Sequence, residues 1–328
     1  MPAVSVMVVY HRVTPFLLPT VQSVLGQTFR DLELVLVDRG NGAGLAPLGE
    51  SGRDPRIRLV SRPENEGIAC GYNQAIANAR GEFIALLDHD DIALPRRIER
   101  QIEFLRANPR FGMVSTLAVA IDERGDVTGP EFSLLTERDQ YVFSAYTAPA
   151  VMPSYTGRRE VFERFRYRRE VSYACDYDLL ARAAEAWPIC GLPEVLMHYR
   201  HHAGQTTNVR AAAHVLAACV ARHLAARRRA GRAEDLAGMV VEFGSWLGEA
   251  PPPAETYARF AECALRDGFA RLAVYHARKL LSVRRDLPTL FEATRVLQAA
   301  LRMEPRGAAL LLRLFFTGPL RAHGLRPA

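Results

Sequence analysis

Phe83-Ile84-Ala85-Leu86-Leu87-Asp88-His89-Asp90-Asp91 is an apolar run that ends in three carboxylates. The run has the length and composition of a buried strand, so the three aspartates are expected together at its carboxyl end. Carboxylates at close range cannot all stay ionised unless a cation compensates their charge. Hard oxygen ligands suit Mg²⁺ or Mn²⁺, and these cations in turn suit a diphosphate. An acidic turn before a helix explains the same stretch, so the surrounding sequence has to decide.

Apolar runs alternate with helical patterns on both sides of this stretch, up to residue 120. This order is typical of βαβ units, and we predict an α/β fold with a mostly parallel sheet. Such sheets bind ligands beyond the carboxyl ends of their strands, so Tyr10, Asp38 and Asp88 are expected on one rim. The segment 130–154 is predicted to be irregular and to provide acceptor-side loops. Strands are predicted over 4–10, 32–38, 57–60, 83–87 and 113–121, and helices over 15–27, 67–80 and 95–107.

The sequence changes character after Val209. Residues 210–247 are rich in alanine and arginine with a helical period, and a run of prolines interrupts the chain near 250–253. We therefore predict two domains, an α/β domain over 1–209 and an all-helical C-terminal module over 210–328.

Composition excludes several functional classes. The net charge of +6 arises from 42 basic and 36 acidic residues. A basic surface attracts anionic partners, but neither a zinc-finger spacing nor an aromatic pattern accompanies it, so we expect no nucleic-acid partner. The 5 cysteines are scattered without a Cys-x-x-Cys pair, which predicts reduced thiols rather than a zinc site or disulfides.

The expected location is the cytoplasm. The N-terminus lacks the basic region of a signal peptide, and no apolar run approaches the ~20 residues needed for a transmembrane segment. A peripheral contact with the inner face of the membrane stays open, because the apolar stretch 310–316 can lie on a membrane surface or dock on the protein itself. Intramolecular packing is the preferred interpretation.

Motifs around the acidic stretch resemble those of family-2 glycosyltransferases with the GT-A fold. The resemblance covers roughly residues 4 to 206, and its specificity rests on the order and spacing of the motifs. Asp88-His89-Asp90 corresponds to the family's Asp-x-Asp motif. The other matching segments, in chain order, are Val4 to His11, Ser23-Val24-Leu25-Gly26-Gln27-Thr28-Phe29, Leu32 to Asp38, Asn65 to Ala69 with Asn73, Ala79 to Ile84, Cys175-Asp176-Tyr177-Asp178-Leu179 and Tyr199-Arg200-His201-His202.

The resemblance implies an inverting enzyme that moves a sugar from a nucleotide-sugar, expected to be UDP-linked, to a hydroxyl of a carbohydrate, glycolipid or protein. Surface polysaccharide, lipopolysaccharide or protein glycosylation is the implied context. Mn²⁺ or Mg²⁺ is the implied cofactor, with Asp90 as its direct ligand and Asp88 contacting the ribose or the metal. His202 is expected to complete the coordination or to contact the diphosphate, with His201 as the neighbouring alternative. For either histidine, a loop residue hydrogen-bonded to backbone is the other interpretation.

Asp176 corresponds to the family's catalytic base, which takes the proton of the acceptor hydroxyl. Capping of a helix that begins at Tyr177 is an alternative role, and the two roles are compatible. Asp38 is expected to bind the base of the nucleotide, with Tyr10 and Asn73 also on the nucleotide side. The supporting residues are Asp91, Arg200 and His201.

Three positions depart from the family pattern. Arg39 stands where the family has a second aspartate after the second strand, Cys175 where it has glutamate, and Val9 where it has proline. None of these changes removes the metal aspartates or the base, so an active enzyme is the preferred interpretation. The alternatives are a catalytically degenerate nucleotide-sugar-binding or scaffold protein, and a nucleotidyltransferase, which would need a glycine-rich phosphate loop near the first strand.

Overall fold

The chain divides into two units, Met1–Gln205 and Thr206–Ala328, in a computed structural model that describes residues 1–239 and 253–322. The predicted division after Val209 stays a prediction. The predicted break near 250–253 falls largely outside the described residues.

A sheet of nine strands organises the first unit, in the order β3-β2-β1-β4-β8-β6-β9-β5, with β7 paired to β6. The predicted strand positions agree with the structure to within two residues. The strands are β1 (Val4–Tyr10), β2 (Leu32–Arg39), β3 (Ile57–Arg62), β4 (Phe83–Leu86), β5 (Ile92–Ala93), β6 (Met113–Ile121), β7 (Val127–Pro130), β8 (Thr156–Arg158) and β9 (Ile189–Arg200).

The sheet is mixed, and its longer pairings are parallel, in agreement with the prediction of a mostly parallel sheet. The pairs β1–β2, β2–β3, β1–β4 and β6–β9 are parallel. The pairs β4–β8, β6–β8, β6–β7 and β5–β9 are antiparallel. Strands β5, β7 and β8 are only 2, 4 and 3 residues long, too short for a periodic pattern to reveal them.

Helices cover both faces of the sheet. Side chains of α1 and α3 join one buried cluster, and side chains of α2, α5 and α6 join the other. Strand β1 supplies both clusters in alternation, Val6 and Val8 on one side and Met7 and Val9 on the other. The segment 130–154 contains a helix, so the prediction that it is irregular is wrong there. The helices are α1 (Leu17–Leu25), α2 (Ile68–Asn78), α3 (Arg97–Ala107), α4 (Glu137–Phe143), α5 (Arg159–Phe165) and α6 (Cys175–Ala184).

Gln27 connects α1 to the chain that follows the three aspartates. Its side chain is fully buried, and its Nε2 donates to Leu94 O at 2.8 Å. Its Oε1 accepts from the backbone N–H of Ile98 at 3.0 Å, in the first turn of α3. The glutamine therefore fixes the start of α3 and the segment between β5 and that helix.

The second unit is helical in its described part. Helix α9 packs on α10, which also packs on α11 and α12. In the stretch 310–316, Leu311, Leu314 and Phe315 are buried, which confirms intramolecular packing for these side chains. Among the described helices, none is both long and apolar enough to cross a membrane. The helices are α7 (Thr206–Val209), α8 (Ala211–Arg229), α9 (Pro253–Arg266), α10 (Ala270–Val283), α11 (Leu287–Met303) and α12 (Ala308–Ala322).

Gln27→Leu tests the connection between α1 and α3. Leucine fills a similar volume but leaves the Ile98 N–H and the Leu94 carbonyl without their partner, and each buried unsatisfied group costs ~1–3 kcal/mol. We expect a loss of about 2–4 kcal/mol in the free energy of unfolding, measured by chemical denaturation. Gln22→Leu is the matched control, since Gln22 is exposed on α1, which ends two residues before Gln27. Equal stabilities for the two variants would contradict this role of Gln27.

Candidate active site

The three aspartates that follow β4 lie together. Asp88, Asp90 and Asp91 each offer a carboxylate oxygen, and these oxygens all lie within 4.8 Å of one another. The chain turns tightly here, with the Asp91 N–H donating to Asp88 O at 3.3 Å. The turn follows β4 at the edge where the parallel strands β1 and β2 also end. The sequence prediction that these carboxylates converge is therefore confirmed.

Tyr72 of α2 binds the first carboxylate. Its hydroxyl donates to Asp88 Oδ1 at 2.7 Å. The Tyr72 ring stacks on Tyr167, with ring centroids 4.7 Å apart and planes inclined by 20°. The Asn73 amide holds this partner in place, because its Nδ2 donates to Tyr167 O at 2.8 Å and its Oδ1 accepts from Tyr167 N at 2.9 Å. Asn73 thus positions Tyr167 through backbone bonds, and its nucleotide contact stays a prediction.

Strand β9 brings partners to the other two carboxylates. The backbone N–H of Arg200 donates to Asp91 Oδ1 at 2.8 Å, and its Nε donates to Asp90 O at 2.9 Å. His202 Nε2 lies 2.9 Å from Asp90 Oδ2. The ring of Phe16 contacts both side chains: its centroid lies 4.7 Å from the guanidinium carbon of Arg200 and 5.0 Å from the imidazole centroid of His202. The pairing of β9 with β5 is what places the Tyr-Arg-x-His segment beside the aspartates.

The two adjacent histidines face different partners. His201 Nε2 lies 2.6 Å from Glu131 Oε1, and the side chain is 54% exposed. His202 meets Asp90 instead. His202 is therefore the histidine that lies at the carboxylate cluster.

Burial and mutual repulsion set the protonation of the cluster. Burial raises the pKa of Asp88 to about 7, and the charge of Asp90 contributes to the rise. Burial, followed by Asp90 and Asp88, also raises the pKa of Asp91. Arg97 opposes these shifts: its Nη2 donates to two backbone carbonyls at 2.7 and 2.6 Å, and its charge lowers both pKa values. Burial lowers the pKa of Arg97 itself to about 10, so it remains a cation at neutral pH.

The cluster fits a hard divalent cation. Asp91 Oδ2 is buried without a hydrogen-bond partner, so one carboxylate oxygen is left uncompensated by the protein. Carboxylate oxygens are the donors that Mg²⁺ and Mn²⁺ prefer. Asp88, Asp90 and Asp91 can therefore hold a metal ion, with the His202 imidazole at the edge of the same cluster.

Tyr10 ends β1, and its register partner Asp38 lies one residue before the end of β2. Both are fully buried, and burial followed by the charge of Asp38 raises the pKa of the Tyr10 hydroxyl. Asp38 Oδ1 accepts from the Asn41 N–H at 2.8 Å, while Oδ2 is buried without a partner. Asp38 therefore shapes the turn after β2 and still presents a carboxylate oxygen able to accept a further hydrogen bond.

Asp176 lies in the first turn of α6 and does not cap it. The helix begins at Cys175, and Ala174 is its N-cap, so the predicted helix start at Tyr177 and the capping role are wrong. Asp176 Oδ1 accepts from the Tyr177 N–H at 2.7 Å. Its negative charge is one of the causes that raise the pKa of Asp88, which puts the two carboxylates in one electrostatic environment.

The second aspartate of the same motif has a different environment. Asp178 is fully buried, and its Oδ2 lies 2.7 Å from Arg182 Nη2. Asp178 is therefore part of the core, whereas the half-buried Asp176 remains within reach of solvent.

Sequence reasoning missed Tyr72 and Arg97. The sequence gives no indication that Tyr72 has a polar partner, because its hydrogen bond to Asp88 joins α2 to the turn after β4. The helical period of α3 could have indicated Arg97, because it places this arginine on the buried face with Ile98, Ile102 and Leu105. Arginine is rarely buried unless it has a partner.

Comparison with known proteins defines the reaction class. Residues 5–166, which include the aspartate cluster, match the model of the family described as glycosyl transferase family 2. The chain carries a family-2 glycosyltransferase domain. The confirmed family accounts for the order of motifs from the first strand to the Asp-x-Asp segment.

The match to this glycosyltransferase covers different shares of its relatives' lengths. It is 29% identical over 207 residues to an uncharacterized glycosyltransferase of Methanocaldococcus jannaschii, covering 61% of this chain and 71% of the relative. An uncharacterized glycosyltransferase of Haemophilus influenzae is 25% identical, covering 63% and 68%. Chondroitin synthase of Escherichia coli is 24% identical over 64% of this chain, but only 30% of that protein is covered.

Solved structures show that the fold of this glycosyltransferase is GT-A, as predicted. S. aureus TarS superposes with a TM-score of 0.57 at 14% identity, covering 95% of this chain and 83% of TarS. A mannosyltransferase from Pyrobaculum calidifontis, solved with GDP-Man and Mn²⁺, gives a TM-score of 0.53 at 19% identity, covering 94% and 87%. At these identities the likeness concerns the fold alone.

Asp90→Asn tests the repulsion within the cluster. The pKa of Asp88 is raised from 3.8 to about 7, so its ionisation in the folded state costs stability as the pH rises through this window. Removing the charge of Asp90 lowers that cost. In EDTA we expect a higher melting temperature than wild type at pH 8, by roughly 2–4 °C per kcal/mol relieved, and a much smaller gain at pH 5. Calorimetry measures these melting temperatures, with Asp31→Asn at an exposed position as the control. A melting temperature of Asp90→Asn below that of wild type at pH 8 would contradict the role of repulsion.

Proposed function

We propose that the protein is an inverting, metal-dependent glycosyltransferase that moves a sugar from a UDP-sugar to an acceptor hydroxyl. The observation that carries the proposal is the convergence of three carboxylates, one with a buried unpartnered oxygen, at the edge of the sheet where Tyr10 and Asp38 also lie. Family membership supplies the reaction class, and these residues supply a place for nucleotide and metal. We assign this site to the domain 1–209.

The donor is held at two ends in this proposal. Asp38, with Tyr10 beside it, accepts a hydrogen bond from the nucleotide base through its unpartnered oxygen. Asp90 and Asp88 bind Mn²⁺ or Mg²⁺, with His202 completing the site and Asp91 supporting it. When bound, the cation acts as a Lewis acid that offsets the charge developing on the leaving diphosphate. The fold accommodates more than one base, since TarS has been solved with UDP-GlcNAc and the Pyrobaculum enzyme with GDP-Man.

Asp176 is the general base in this proposal. It lies in the first turn of α6, where the helix dipole favours the ionised carboxylate. The carboxylate takes the proton of the acceptor hydroxyl while that oxygen attacks the anomeric carbon from the side opposite the diphosphate, so configuration inverts. The proposed acceptor is a carbohydrate, glycolipid or protein, in surface polysaccharide, lipopolysaccharide or protein glycosylation.

Donor binding with metal tests the proposed site. If the cation joins the aspartates to the diphosphate, UDP should raise the melting temperature more with Mn²⁺ than with EDTA, because a ligand stabilises the state it binds. Asp90→Asn should abolish the Mn²⁺-dependent increment, and Asp31→Asn should retain it. A parallel series with GDP distinguishes the base. Equal stabilisation by UDP in Mn²⁺ and in EDTA would contradict the metal assignment.

Asp176→Asn separates catalysis from binding. Losing a general base lowers kcat by at least ~10²-fold, while donor affinity should change little because this carboxylate serves the acceptor. Release of UDP from UDP-sugars, with and without added acceptors, measures turnover, and calorimetry measures affinity. Asp178→Asn is the contrast, since Asp178 is paired with Arg182 and its loss should lower stability. Wild type that binds donors but never turns them over would favour the non-catalytic, nucleotide-sugar-binding alternative.

A further inference from the structure

Arg39 is a buried cation with no carboxylate partner among the described residues. It ends β2 directly after Asp38 and is 8% exposed. Its Nη1 donates to Asn65 Oδ1 at 3.1 Å, and its Nε is buried without a hydrogen-bond partner. One neutral amide oxygen thus serves a group with five N–H donors.

Such an arrangement is costly in the ligand-free protein. Burial lowers the pKa of Arg39, yet a guanidinium remains charged at neutral pH. A buried charge without a counter-ion destabilises the fold, so these residues normally have partners. The other buried arginines of the first unit do: Arg182 pairs with Asp178, and Arg97 and Arg200 donate to backbone carbonyls.

A glycine of α2 makes room for this side chain. A Cβ at Gly71 would lie 2.5 Å from Arg39 Cδ and 2.6 Å from Val9 Cγ1, so only glycine permits the arginine to pack against α2 here. The next residue, Tyr72, donates to Asp88. Arg39 therefore packs on the same helical turn that contacts the first aspartate of the cluster.

The charge of Arg39 also reaches the loop after β1. It contributes, after burial, to the lowered pKa of His11. Cys175, the residue before the proposed base, is another neighbour, and burial raises the pKa of its thiol so that it stays neutral. The glutamate usual in the family at this position would bring a negative charge, so the two departures at Arg39 and Cys175 together leave a cation uncompensated.

We propose that Arg39 binds the diphosphate of the nucleotide-sugar. The proposal rests on the function proposed above. Asp90 and Asp88 are assigned to the metal, and the diphosphate is the part of the donor that a bound cation accompanies. Arg39 packs at Gly71, next to Tyr72, which contacts Asp88, so a fixed cation lies beside the place assigned to the diphosphate. Arginine is suited to it because its planar fork pairs with phosphate oxygens.

Arg39→Met tests the assignment, with Arg62→Met as the matched control. Arg62 is the register partner of Arg39 on β3, but it is exposed and pairs with Glu66. Methionine keeps much of the apolar stem and removes the buried charge. We expect Arg39→Met to keep or raise the melting temperature of the ligand-free protein. UDP affinity, measured by calorimetry, should fall at least ~10-fold in Mn²⁺ and also in EDTA, the size of a lost charge-assisted hydrogen bond.

Arg39→Lys supplies a second readout. It keeps a charge without the planar fork, so its UDP affinity should lie between those of wild type and Arg39→Met. Arg62→Met should change neither affinity nor stability. A packing role for Arg39 predicts the opposite pattern: a lower melting temperature for both Arg39 variants and no specific loss of UDP.

The outcomes separate this inference from the proposed function. Wild type that binds UDP with Mn²⁺, and Arg39→Met that binds it equally well, would overturn the inference alone. A loss confined to UDP-glucuronic acid, with UDP affinity intact, would place the anion on the sugar and also overturn it. Wild type that binds neither UDP nor GDP with Mn²⁺ would refute the proposed function and this inference with it.

Discussion

The site depends on one electrostatic constraint, the repulsion among three carboxylates brought together after a buried strand. Asp88 and Asp91 have raised pKa values because burial and their neighbours oppose ionisation. The protein relieves this repulsion only in part, with a tyrosine hydroxyl, a backbone N–H and the buried cation Arg97. Stability is thereby given up in the ligand-free fold, and the divalent cation that we propose for this site would restore it.

A charge of the opposite sign packs against the first turn of α2. Arg39 has a single amide oxygen as partner, and the neighbouring Cys175 thiol is neutral. Excess negative charge at the aspartates and excess positive charge at Arg39 together suit a ligand that brings a cation and a diphosphate as one unit. Neither group gains its full compensation from the protein alone.

The mixed sheet is what assembles these parts. The parallel strands β1, β2 and β4 bring Tyr10, Asp38 and the aspartates to one edge. The short antiparallel pairing of β5 with β9 then carries Arg200 and His202 onto the same cluster. Gln27 holds the intervening segment by bonding to both sides of it. Residues separated by more than a hundred positions thus share one site.

The sequence by itself determined the long strands and helices and the convergence of Asp88, Asp90 and Asp91, because continuous apolar runs are local signals. The order of the motifs along the chain determined the GT-A family. Only the tertiary structure decided that Tyr72 and Arg97 join the site, that His202 rather than His201 meets Asp90, and that Asn73 holds Tyr167. In the structure α6 begins at Cys175, with Ala174 as its N-cap, and not at Tyr177 as predicted. The pairing of β9 with β5, which precedes His202, is only two residues long, and the other contacts join side chains and backbone of separate helices and loops. Neither kind of contact leaves a periodic pattern in the sequence.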